Sequence, residues 1–117
     1  MVDTTIGMVI SEEQISKYFK SLVNKVFKIL PIVENQEESI ATYLDSLGCE
    51  LNGFKSLLPS VGEDPLFLSL LAIYKWLFDS LSESDSEYKV IRREVFHAIS
   101  ICKKLEGRYA NGEGEVV

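Results

Sequence analysis

One histidine, two cysteines, three prolines and one tryptophan in 117 residues leave little material for several common chemistries. A single His, His97, cannot anchor a His-rich metal site, and no Cys/His pair has the close spacing of zinc ligands. Cys49 and Cys102 are too few for a disulfide framework, so both are expected to be reduced, helical and buried. The scarcity of proline, with only seven glycines, excludes collagen-like and low-complexity chains. Long apolar runs are also missing. The longest, Leu66 to Phe78, is interrupted by Ser69 and Lys75 and is shorter than the about 20 residues that span a bilayer. The first ten residues lack a basic segment followed by an apolar one, so no signal peptide is expected and the expected location is cytoplasmic. Positive charge is in deficit too. Twelve basic against eighteen acidic residues give a net charge of −6, which argues against nucleic-acid or membrane binding by bulk charge.

What is present is hydrophobic periodicity. Apolar residues make up 46% of the chain, and from Ser11 onward they recur at spacings of three and four. Ser11-Glu12-Glu13-Gln14 has the form of a capping box that opens the first helix. Ile15, Tyr18, Phe19, Leu22, Val26, Ile29 and Leu30 then form its apolar stripe, and Pro31 ends or kinks it. Ile40, Tyr43, Leu44, Leu47, Leu51, Phe54 and Leu58 mark a second helix, in which Gly48 and Gly53 signal either a close helix approach or a bend. Pro59 to Glu63 gathers turn formers. Asp64-Pro65 reads as N-cap and first helical residue of a third helix, apolar at twelve of the sixteen positions from Leu66 to Leu81. A fourth helix carries Tyr88, Ile91, Val95, Ala98, Ile99, Cys102, Leu105 and Tyr109 on one face.

The expected fold is therefore all-α: one domain over 1–117, an antiparallel four-helix bundle with helices at about 11–31, 37–58, 64–81 and 85–109. Residues 1–10 are expected as a short irregular arm and 111–117 as a disordered tail.

Functional candidates fall on the last two helices. The third is apolar around most of its circumference. Phe67, Leu70, Tyr74, Trp76 and Phe78 are the expected interface with a second copy or another protein, and a homodimer is expected. On the fourth helix, Lys89, Arg93, His97, Lys104 and Arg108 form a basic stripe that can meet an acidic partner or a nucleic-acid backbone. Charge is unevenly spread: residues 34–63 hold six acids against Lys55, whereas 11–33 hold four lysines against two glutamates. Pairing between these neighbouring helices is the expected outcome. Glu94-Val95-Phe96-His97 is also the half-motif of a carboxylate-bridged metal site, but the chain lacks the second histidine that site needs.

The spacing of Arg92 and His97 on a late helix of a small helical chain resembles the HEPN ribonuclease family. That resemblance implies a homodimeric, metal-independent ribonuclease using Arg92 and His97. On an ideal helix the two residues lie about 140° apart, so their convergence needs a bend or a partner chain. The residue pattern taken as a whole favours a small acidic protein-interaction or regulatory module, an adaptor or an inhibitor. It would have no catalytic activity, cofactor or metal of its own, and no membrane partner. A ribonuclease using Arg92 and His97, and a nucleic-acid-associated accessory protein using the basic stripe, are the alternatives.

Overall fold

A computed structural model describes residues 2–35, 39–82 and 87–110. The chain is all-α apart from a minimal strand pair: β1 (Val2–Asp3), β2 (Val9–Ile10), α1 (Glu12–Phe27), α2 (Ile29–Glu34), α3 (Ile40–Leu57), α4 (Pro59–Gly62), α5 (Pro65–Ser82) and α6 (Tyr88–Ala110). The expected tail at 111–117, and the expected helix starts at 37 and 85, lie outside the described residues.

The N-terminal arm is not irregular. β1 and β2 pair antiparallel, Val2 with Ile10 and Asp3 with Val9. Gly7 sits at φ +83°, a conformation open to glycine, and lets the chain reverse. Thr4 closes the loop: its N–H and hydroxyl both donate to the Met8 carbonyl at 2.9 Å, and its Oγ1 accepts from Met8 N–H. Thr5 N–H donates to the Leu57 carbonyl, which ties the hairpin to the end of α3. Both strands lie within the arm itself and are too short for a hydrophobic period to repeat.

The capping box at Ser11 is formed in both directions: Gln14 N–H donates to Ser11 Oγ, and Ser11 N–H to Gln14 Oε1. The first helix ends earlier than its apolar pattern implies. Pro31 has no N–H to offer the Phe27 carbonyl four residues back, and its ring crowds that carbonyl. α1 therefore stops at Phe27, and α2 restarts at Ile29 with Pro31 in its first turn. The break keeps Val26, Ile29 and Leu30 buried together. The expected turn at 59–63 contains a one-turn helix, α4, that carries Val61 into the core beside Leu58. Asp64 behaves as read: its Oδ1 accepts the Leu66 N–H at 2.9 Å at the head of α5.

Phe19 and Phe67, both fully buried, stand at the centre. Phe19 meets Phe54, Phe67 and Tyr109 from α3, α5 and α6. The start of α1 lies against the end of α6, where Ser16 Oγ donates to the Glu106 carbonyl, and the end of α1 reaches Phe96. The start of α5 meets the end of α6 through Asp64 and Arg108. Among the described residues no helix is long and apolar enough to cross a membrane.

Candidate functional site: the exposed seam between α1 and α6

Of the five residues expected at an interface on α5, Phe67 and Leu70 are buried in their own protomer and present nothing to a partner. Phe78 is half-buried against the same core. Tyr74 is also committed inward. Its hydroxyl donates to the Leu44 carbonyl at 2.5 Å, and the ring end fills the space where a side chain at Gly48 would stand. Gly48 thus marks a close approach of α3 and α5 rather than a bend. Only Trp76 keeps the expected exposure, at 39%. It shares an outward strip with exposed Leu68 and Ala72 at i, i+4 and i+8. α5 is apolar on more than its core-facing side: Phe67, Leu70, Leu71, Ile73 and Leu77 are buried, whereas Leu68, Ala72 and Trp76 face outward.

Cys102 is buried, and burial pushes its thiol up to about 12. Cys49 is exposed on α3, a correction to its expected burial: it neighbours Gly48 but points away from the core. The acidic second segment does pair with its lysine-bearing neighbour. Glu50 accepts from Lys25 Nζ at 2.8 Å and from the Tyr18 hydroxyl at 2.9 Å. Burial, and next the Glu50 charge, raise the Tyr18 hydroxyl well above its ordinary range. This trio ties α1 to α3.

The basic stripe is exposed along its length, but its members differ in what they touch. Arg108 is drawn onto Asp64, and Arg93 Nε lies 3.2 Å from Glu94 Oε2. His97 Nδ1 is 4.0 Å from Glu94 Oε1, beyond hydrogen-bond distance. Lys89 and Lys104 make no ion pair among the described residues. Arg92 is not turned toward His97. Its guanidinium lies 5.0 Å above the ring of Phe96, a cation–π contact. Among the described residues no group of three His, Cys, Asp or Glu side chains is placed to hold a metal ion.

Two exposed aromatic residues besides Trp76, Phe27 and Phe96, lie off the apolar stripes of the sequence. Phe96 (39% exposed) meets Phe27 (48% exposed) edge-to-face with ring centroids 6.1 Å apart, across the seam between α6 and α1. Heptad spacing puts residues on nearly the same helix azimuth, within about 20°. Lys20 therefore shares a stripe with Phe27, and Lys89 and Lys103 share one with Phe96, all three lysines exposed. A signal was available: two phenylalanines off the apolar stripes, each with lysine seven residues away. Charge follows the same geometry. Residues 12–28 and 88–110 together hold ten basic and four acidic residues, whereas the rest of the described chain holds two basic and eight acidic. On a chain of net −6, α1 and α6 bring the cations side by side.

A concavity of about 450 Å³ lies under the hairpin between Met8, Ile10, Tyr18, Phe54 and Leu57. Tyr18 stacks on Phe54 there at 4.4 Å. The polar groups at its edge are already used, Tyr18 by Glu50 and Gln14 by Ser11. Comparison with protein-family models, curated proteins and solved structures found no significant match for this chain.

Proposed function

We propose that this chain is a small protein-interaction module, an adaptor or inhibitor working in the cytoplasm without catalytic activity of its own. Its four long helices are taken as an antiparallel bundle whose α1–α6 seam docks the partner. The observation that carries this reading is the solvent-facing Phe27–Phe96 pair with Arg92 laid over Phe96. Aromatic and arginine side chains grouped on one surface and ringed by polar residues are the composition of interface anchors. The contact of Arg92 with Phe96 favours this use over a shared catalytic role for Arg92 and His97.

The test is capture from the native host followed by mass spectrometry, comparing wild type, Phe96→Ser and His97→Ala. A partner retained by wild type and His97→Ala but lost with Phe96→Ser is the expected result. Identical recoveries from all three would remove the seam as the docking face. Wild-type protein incubated with single-stranded RNA and EDTA is expected to leave it intact. Cleavage lost in both Arg92→Ala and His97→Ala would replace the module with a nuclease, because general acid–base residues contribute about 10²–10⁴-fold.

A self-association reading is favoured by the Leu68–Ala72–Trp76 strip, where a small residue between two large ones lets a second helix approach. The homodimer is proposed through that strip, on α5 rather than on the seam.

A further inference from the structure

Resting on the seam as docking face, we infer that its occupant is a helix from an acidic partner protein, with one apolar anchor flanked about seven residues to either side by carboxylates. Three observations select that chemistry. The exposed aromatic centre belongs to two packed helices, and an amphipathic helix laid along their seam can set its apolar anchor against it. The lysines are placed symmetrically about that centre. Lys89 and Lys103 stand seven residues before and after Phe96, about 10 Å to each side along α6, and Lys20 adds a third charge on α1. None of the three has an ion-pair partner among the described residues. The surplus of cations on this face, set against an acidic remainder, makes the seam the surface to which an acidic helix is steered while the rest of the molecule repels it.

A polynucleotide fits less well. Bases stack on open aromatic faces, but Arg92 already covers one face of Phe96, and Phe27 meets it edge-to-face. The net charge of −6 also opposes the approach of a long polyanion.

The experiment uses the full chain and a phage-displayed library of random 16-residue peptides, each about 24 Å long as a helix and so able to span Lys89 to Lys103. Selection is on wild type in low salt, with counter-selection on the Phe27→Ser/Phe96→Ser variant, whose helical circular dichroism is checked first. Enriched peptides are expected to carry an aromatic or aliphatic anchor with Asp or Glu near seven residues on each side. Their affinity should fall about tenfold or more in Lys89→Glu/Lys103→Glu, and should fall again as salt is raised. Enriched peptides that depend on Phe27 and Phe96 but lack acidic residues would overturn the acidic partner while leaving the seam as a docking face. A library yielding no binder dependent on those rings would overturn both. A parallel selection with a random single-stranded RNA pool is expected to give no binder. RNA retained by wild type and lost in Lys89→Glu/Lys103→Glu, with no acidic peptide enriched, would make the occupant a nucleic acid and overturn the inference.

Discussion

Two buried positions show how little freedom the interior leaves. At Gly48 the backbone of α3 comes so near the Tyr74 hydroxyl that a methyl group would coincide with it. Gly48→Ala is expected to destabilise the fold by about 1–3 kcal/mol, since overpacking must push Tyr74 off the Leu44 carbonyl. In a Tyr74→Phe background the same change should cost less, and a urea double-mutant cycle measures that coupling. Equal costs in both backgrounds would mean that the ring carbon 2.7 Å from the added methyl, rather than the hydroxyl, sets the strain. Cys102 makes a pH-dependent contribution. Its folded thiol is raised from 9.0 to about 12, so above pH 9 the unfolded chain loses a proton that the folded one keeps. Stability is therefore fully present below pH 9 and falls as pH rises through the interval, by about 1.4 kcal/mol per pH unit for one such group. Burial raises the tyrosine hydroxyls as well, but they are common to both proteins, so between pH 9 and 10 Cys102→Ala should show the shallower decline in urea midpoint. Parallel curves for the two proteins would contradict this.

The helices themselves are mostly legible in the sequence, because local chemistry writes their starts. Ser11 and Gln14 close their box, and Asp64 with Pro65 opens α5 where expected. Ser11→Ala should therefore cost about 0.5–2 kcal/mol in chemical denaturation by freeing the Gln14 N–H. A loss below that range would show that packing of Ile15 and Phe19 holds the helix end unaided. Helix ends were less legible. The apolar stripe runs through Pro31 without interruption, yet the chain breaks at Lys28 because the missing donor acts four residues upstream. The hairpin left no periodic trace at all, since two-residue strands are too short to alternate. The seam was hidden for a different reason. Grouping residues by the largest stripe assigns everything else to solvent, and Phe27 and Phe96 become significant only when α1 is laid beside α6.

At the scale of the whole molecule, assembly is the first quantity to measure. If Leu68, Ala72 and Trp76 join two copies, sedimentation equilibrium should return about twice 13.2 kDa. Trp76→Ser should then return a monomer of unchanged helical content, because that side chain is not part of the core. A wild-type monomer at tens of micromolar would remove the dimer. Charge placement has a consequence independent of assembly. With cations gathered on α1 and α6, and Asp45, Glu63 and Asp79 exposed on the other elements, the molecule is an electric dipole rather than a uniformly acidic body. A pI near 4.8 describes only its sum. At neutral pH and low salt such a molecule can turn one side to an anion exchanger and the other to a cation exchanger, and be retarded by both resins.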